Sequence, residues 1–93
     1  MSEQEIAETL ALRVLAWLAE DDERLAGFLA ATGAGPDDIA RFAAEPGFLA
    51  AVMDYLLSAD ALVTGFCDAE GLAYDRPLRA RAALPGGADP HWT

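Results

Sequence analysis

The apolar residues of this chain recur at helical spacing, and no segment alternates between apolar and polar positions as a strand does. Ser2 is followed three residues later by Glu5, which is a capping-box signature for the start of a first helix. One apolar stripe along that helix consists of Ile6, Leu10, Val14, Trp17 and Leu18. Other leucines fill the remaining faces, and a helix that is apolar nearly all round is usually central in its domain.

Capping residues at helix N-termini and a glycine at a helix C-terminus divide the rest of the first half into shorter helices. Asp21 or Asp22 can cap a second helix, and Gly33 is well placed to end it in the left-handed conformation. Gly35 and Pro36 then begin a third helix, which has acidic residues in its first turn. The first half is therefore predicted to contain three helices.

The second half of the chain follows the same plan. Pro46 opens a strongly apolar helix, and Gly71 closes the helix after it. A last short helix starts around residues 75–77, carries Leu78 and Leu84, and stops before a Pro-Gly pair. We therefore predict an all-α fold, a single small bundle of five or six helices.

A spacing of 38 residues relates the two halves. At this spacing the same residue recurs at caps, stops and apolar anchors, as in Asp22 and Asp60, Gly27 and Gly65, Phe28 and Phe66, and Gly33 and Gly71. We interpret the pattern as two pseudo-repeated three-helix units that share one core. The alternative, that any small helical bundle has similar helix starts, helix ends and apolar spacing, stays open. Four large aromatic side chains, at positions related by this spacing, are predicted to lie buried in one core: Trp17, Phe28, Tyr55 and Phe66.

Length and charge limit the class of protein. The 93 residues allow one small domain, and we assign residues 1–86 to it and residues 87–93 to a flexible C-terminal tail. The formal net charge of −10 argues against binding to nucleic acid or to an anionic membrane surface. No apolar run reaches the length of a membrane span, and a single cysteine fits a reducing compartment. We expect a cytoplasmic protein.

Three segments of the chain are distinctive as motifs. They are TGAGPDD at residues 32–38, PGFLAAVMDYL at residues 46–56 and ARAALPG at residues 80–86. With these segments the chain resembles a small, all-helical family of bacterial, mostly proteobacterial, proteins of unknown function. The resemblance extends over nearly the whole chain up to Gly86 and implies a one-domain helical fold. It implies no activity.

No catalytic, cofactor or metal set is recognised in the sequence. The acidic runs at residues 21–23 and 37–38 are interpreted as solvated helix caps, because their spacing matches no calcium loop. Cys67 lacks a base close to it, since the only histidine, His91, lies in the tail. His91 and Trp92 either dock on a partner or belong to an untethered tail.

Five charged residues are candidates for a special role. Arg13 and Asp54 each stand alone on a highly apolar helix segment, so they either form a buried ion pair across the core or point to solvent. Arg76, Arg79 and Arg81 form a basic cluster. This cluster could bind a phosphate or an acidic partner, or it could balance the carbonyl end of the last helix.

Two functions of different classes remain open. An acidic helical bundle without a catalytic set is typical of a protein-interaction module, an adaptor or regulator that binds a protein partner or forms a homodimer. The alternative is a small-ligand carrier or an enzyme that uses carboxylates such as Asp54 and Asp60 in a cleft between the two units. A cleft lined by these acids and Arg13 would favour the alternative.

Overall fold

The structure, a computed structural model, describes residues 2–86. Over this range the backbone forms six α-helices and no strand, so the predicted all-α class is confirmed. In chain order the helices are α1 (Glu3–Ala19), α2 (Asp22–Thr32), α3 (Pro36–Phe42), α4 (Pro46–Leu57), α5 (Asp60–Glu70) and α6 (Arg76–Ala82). The predicted tail at residues 87–93 lies outside the described residues.

Side-chain caps begin the first two helices. The Ser2 hydroxyl accepts a hydrogen bond from the Glu5 amide, and the Glu5 carboxylate accepts one from the Ser2 amide, each 3.1 Å long. Asp21 caps α2 by accepting hydrogen bonds from the amides of Glu23 and Arg24, at 2.9 and 3.2 Å. These bonds satisfy amides that have no partner within the first turn of a helix.

Glycine in the left-handed conformation ends both α2 and α5, as predicted. Gly33 and Gly71 have φ values of 75° and 70°. The Gly33 amide donates to the carbonyl of Leu29 at 2.9 Å, which closes the last turn of α2. Only glycine adopts this conformation without steric cost.

Replacing either Gly33 or Gly71 by alanine is expected to reduce the free energy of unfolding by about 1 kcal/mol. An added Cβ would meet no atom within 4 Å at either site, so the cost comes from the backbone conformation alone. Gly47 is a matched control, because it has equally open surroundings and lies within α4. Gly47→Ala should be neutral or stabilising in urea denaturation. Unchanged stability in both Gly33→Ala and Gly71→Ala would contradict the assignment.

The core lies where α1, α4 and α6 meet. α1 packs against α4 more extensively than any other pair of described helices, α6 packs on both, and α2 and α5 flank them. Of the four predicted anchors, Trp17, Phe28 and Phe66 are buried and Tyr55 is half-buried against the core. The other buried hydrophobic residues are Ala7, Leu10, Ala11, Val14, Leu15, Leu18, Leu49, Ala50, Val52, Met53, Leu56, Cys67, Ala80 and Leu84.

One aromatic side chain crosses from the first unit, α1–α3, to the second, α4–α6. The ring of Trp17 meets the ring of Phe66 edge to face, with centroids 5.8 Å apart and an interplanar angle of 72°. The same indole lies so close to α5 that a Cβ atom on Gly65 would be 3.1 Å from Trp17 Cζ2. Glycine at position 65 therefore permits this close approach of α1 and α5.

A second aromatic side chain crosses in the opposite direction. The ring of Tyr55 meets the ring of Phe28 edge to face, at 5.6 Å and again at 72°. A Cβ atom on Gly27 would lie 2.5 Å from the Tyr55 hydroxyl oxygen. Tyr55, Gly27 and Phe28 are the 38-residue counterparts of the three residues in the first crossing. At the 38-residue spacing, the contact of α1 with α5 therefore has a reciprocal counterpart in the contact of α4 with α2.

The third helix of each unit breaks the repeat. α6 buries Pro77 and Ala80, whereas no residue of α3 is buried. One expectation for the last helix is also wrong. α6 carries Leu78, which is 63% exposed, but it ends at Ala82, so that the buried Leu84 lies in the turn after the helix.

Candidate functional site

A groove of about 500 Å³ lies between α6 and the N-terminal half of α1. Its lining residues are Glu3, Ile6, Ala7, Leu10, Arg76, Arg79, Ala80, Ala82 and Ala83. Apart from one glutamate and two arginines, these side chains are apolar. A concave apolar surface of a few hundred cubic ångströms, with a few charged groups, has the character of a binding site.

Small side chains on α6 leave this groove open. Ala80 and Ala82 of α6, and Ala83 directly after it, line the groove on this side. As a result Ile6 is 42% exposed on the wall of the groove. The sequence placed Ile6 on the inward stripe of the first helix, and the structure corrects this placement.

Two of the three clustered arginines belong to the groove. Arg76 and Arg79 lie one turn apart on α6 and both line it. The Arg79 guanidinium is 3.9 Å from the Asp75 carboxylate, and both side chains are well exposed. Water screens such a pair strongly, so its contribution is small and Arg79 can turn to an incoming anion.

A smaller cavity of about 110 Å³ continues the groove along α1. It shares Ile6, Leu10 and Arg76 with the groove and adds Thr9 and Arg13. Glu3 lies on the first turn of α1, away from this extension. Along α1, the groove therefore has Glu3 near one end, and Arg76 and Arg13 near the other, where Arg13 is paired with Glu70.

Arg13 and Asp54 do not form the ion pair that the sequence left open. Arg13 pairs with Glu70 at the end of α5. Asp54 pairs with Arg81 of α6, with 2.6 Å between Oδ1 and Nε. The Arg13 and Asp54 side chains are 49% and 60% exposed, so each charge lies at the solvent edge of its helix and keeps its hydration.

Arg81 joins α6 to α4 instead of lining the groove. Its guanidinium donates to both carboxylate oxygens of Asp54, at 2.6 and 3.4 Å, and to the Pro85 carbonyl oxygen at 2.9 Å. The Arg81 side chain is only 18% exposed. These hydrogen bonds hold α6 and the turn after it in place, which is a structural role.

The other acidic candidates act as caps or lie in solvent. Asp38 accepts a hydrogen bond from the Gly35 amide at 2.8 Å at the start of α3. Asp60 is exposed as the first residue of α5, and neither Asp54 nor Asp60 lines the two cavities described above. Among residues 2–86, no group of three or more His, Cys, Asp or Glu residues is arranged to hold a metal ion.

Cys67 is buried on α5, and its thiol lies 3.5 Å from the carbonyl oxygen of Ala73 as a weak donor. Burial raises the pKa of the Cys67 thiol, and the negative charges of Asp68 and Asp75 raise it further. The thiolate is the reactive form of cysteine. A buried thiol with a raised pKa is therefore inert in the native protein.

Alkylation of Cys67 by iodoacetamide at about pH 7.5 is expected to be at least about 100-fold slower in the native protein than in urea, because native labelling requires opening of the core. Mass spectrometry of samples quenched over time measures both rates. The unfolded chain is its own control, since it carries the same single thiol. Similar rates in the two states would show that the thiol is accessible.

Residues 4–87 match a family described as "Protein of unknown function (DUF3572)". The chain belongs to this family. The DUF3572 match extends from the first turn of α1 past the end of α6, and it agrees with the resemblance to a small family of unknown function. No curated protein and no solved structure matches the chain.

None of the helices in the described part of this DUF3572 protein is long and apolar enough to cross a membrane by itself. α4 and α5 reach the length and composition of a span only when taken together, and they meet at an angle of 106°. The apolar residues of α4 that contribute to this composition include Leu49, Val52, Met53 and Leu56, all of which are buried in the core.

Proposed function

We propose that this DUF3572 protein is a cytoplasmic interaction module whose groove between α1 and α6 binds a segment of a protein partner. One observation carries the proposal: an apolar floor is flanked by Arg76 and Arg79 in a chain whose net charge is −10. Burial of apolar surface supplies most of the free energy of association. A few placed charges then select and orient the partner.

A protein segment fits this groove better than nucleic acid or lipid does. Binding to a nucleic-acid backbone requires many basic contacts, and the groove offers two arginines on a strongly acidic chain. An anionic membrane surface is disfavoured by the same net charge. A peptide brings apolar side chains for the floor and carboxylates for the arginines.

The alternative function, a ligand carrier or an enzyme that uses carboxylates, has less support. Arg81 holds Asp54 by two hydrogen bonds, and Asp60 is exposed at the start of α5. Neither carboxylate lines the groove. The proposal therefore rests on the groove and not on these acids.

Photo-crosslinking in cells of the source organism tests the proposal. p-Benzoylphenylalanine is placed in the full chain at Ala82, which is exposed on the groove, or at Thr64, an exposed control position on α5. We expect a discrete crosslinked protein from position 82 only. The product should disappear when Arg76→Glu and Arg79→Glu are combined.

Two results would count against the proposal. Identical crosslinks from both positions, or crosslinks that persist after charge reversal, would show that the groove is not the binding surface. A crosslink between two copies of the chain would identify a homodimer interface in place of a site for another protein. Light scattering at several protein concentrations would confirm that outcome.

A further inference from the structure

We propose that α3 is a lid that opens as one unit over the apolar surface around Phe48, while the other five described helices stay folded. This inference goes beyond the proposed function and does not rest on it, because α3 and Phe48 are not among the described residues that line the groove. Three observations carry it. They are the shallow burial of α3, its lack of polar contacts with other helices, and its contrast with α6.

α3 lies on the core without burying a side chain. Ile39 and, directly after the helix, Ala43 pack against the core but are only half-buried. The ring of Phe42 meets the ring of Phe48 at a centroid distance of 6.4 Å and an interplanar angle of 39°. Phe48 in turn meets Phe28 edge to face at 5.9 Å. The contact of α3 with the core is therefore apolar and shallow, so that its opening exposes little surface.

Polar contacts do not fasten α3 to its neighbours. Within residues 2–86, no hydrogen bond or ion pair joins a side chain of α3 to another helix. The Asp38 carboxylate accepts from the Gly35 amide in its own first turn, and the Arg41 guanidinium lies 5.7 Å from the centroid of the Phe42 ring on the same helix. Opening of α3 therefore leaves no buried polar group without a partner.

Non-helical segments connect α3 to the helices on both sides. Residues 33–35 precede it and residues 43–45 follow it. The first segment contains two glycines, whose backbone angles are the least restricted of any residue. α3 can therefore leave the core without unwinding α2 or α4. The open form presents the ring of Phe48 to solvent, so that this apolar surface is available only part of the time.

The third helix of the second unit is firmly docked and provides an internal comparison. α3 and α6 each have seven residues, and Arg41 of α3 corresponds to Arg79 of α6 at the spacing of 38 residues. α6 buries Pro77 and Ala80, packs on both α1 and α4, and is held to α4 by Arg81. In the described part of the chain α3 has no comparable contacts. Fraying of a short helix would affect both alike, so a difference between them reports on docking.

Limited proteolysis of the native full-length protein with trypsin tests the lid. Arg41 and Arg79 are both exposed, so the exposure of the arginine itself does not distinguish them. Cleavage requires the helix to open, and its rate follows the population of the open form. Each rate is divided by the rate for a free peptide of the same sequence, residues 34–48 or 72–86. We expect the normalised cleavage after Arg41 to be at least about tenfold faster than after Arg79.

A substitution in the core separates opening of the lid from unfolding of the domain. Val14 is fully buried on α1, and Val14→Ala should lower global stability, which urea denaturation verifies. The rate of cleavage after Arg41 should nevertheless stay within about twofold of the wild-type rate, because the lid opens without the core. Hydrogen exchange provides a second measurement. In the wild-type protein the α3 amides should exchange at least about 100-fold faster than those of α4, at rates that do not depend on low urea concentrations.

Three results would overturn the lid. Equal normalised rates after Arg41 and Arg79 would show that α3 is docked as firmly as α6. Faster cleavage after Arg41 in Val14→Ala, in proportion to the lost stability, would show that α3 opens only with the whole domain. Exchange in α3 as slow as in α4 would show the same. The proposed function would survive each of these results, since the crosslink from position 82 does not depend on α3.

Discussion

Replacing Trp17 by alanine is expected to leave little folded protein. The Trp17 side chain is 8% exposed. Its indole meets the Phe66 ring edge to face, and the Arg24 guanidinium lies over the indole ring. Truncating a buried aromatic side chain costs about 3–5 kcal/mol, because the cavity collapses only in part. Small domains have free energies of unfolding of roughly 5–10 kcal/mol, so this loss removes a large share of the total.

Urea denaturation followed by circular dichroism measures the effect of Trp17→Ala. Trp92→Ala is the control, since Trp92 lies outside the described residues and in the predicted tail. Its free energy of unfolding should stay within about 0.5 kcal/mol of the wild-type value. Equal losses in the two variants would contradict the core position of Trp17.

Alanine at position 27 is expected to be destabilising only while residue 55 keeps its hydroxyl group. A Cβ atom there would lie 2.5 Å from the Tyr55 oxygen but 3.6 Å from Cζ, so the clash involves a single atom. Displacing the ring to relieve it costs about 1–3 kcal/mol. In a Tyr55→Phe background the clash is absent, and alanine in a helix is favoured over glycine by up to about 1 kcal/mol.

A double-mutant cycle measures this coupling. The free energy of unfolding is determined for Gly27→Ala, Tyr55→Phe and the double variant, and we expect a coupling energy of at least about 1 kcal/mol. Gly47→Ala in the same two backgrounds is the control, because no atom lies within 4 Å of a Cβ at that site. Strictly additive effects of the two substitutions would mean that Tyr55 does not cross to Gly27.

Helix boundaries could be predicted from the sequence because they depend on local chemistry. The Ser2–Glu5 capping box and the stops at Gly33 and Gly71 involve residues within one turn of each other. Their hydrogen bonds and backbone angles are local and do not depend on the rest of the fold. The sequence therefore predicted five or six helices, and its helix starts and ends agree with the six observed helices apart from small errors, the largest being the early end of α6.

The partners of charged residues could not be predicted in the same way. Arg13 pairs with Glu70, and Asp54 pairs with Arg81, because of how α5 and α6 pack beside α1 and α4. The rotation of each helix about its axis is set by that packing. The same rotation points Leu78 to solvent, although its residue type is apolar.

The groove was only partly predictable. Arg76 and Arg79 were recognised as a basic cluster, but the apolar floor arises where α6 meets the first turns of α1, more than 60 residues away along the chain. One signal was present in the sequence, because alanine stands at positions 80, 82 and 83, all of which line the groove.

The reciprocal aromatic crossings have a consequence for how two molecules can meet. Each unit supplies an aromatic ring that packs on the other, and residues 43–45 connect the two units. If two molecules open at this connection, the α1–α3 unit of one can pack on the α4–α6 unit of the other with the same contacts. Such domain swapping requires no new interface. It proceeds only as fast as the core opens, so that high concentration and mild denaturation together would trap an exchanged dimer.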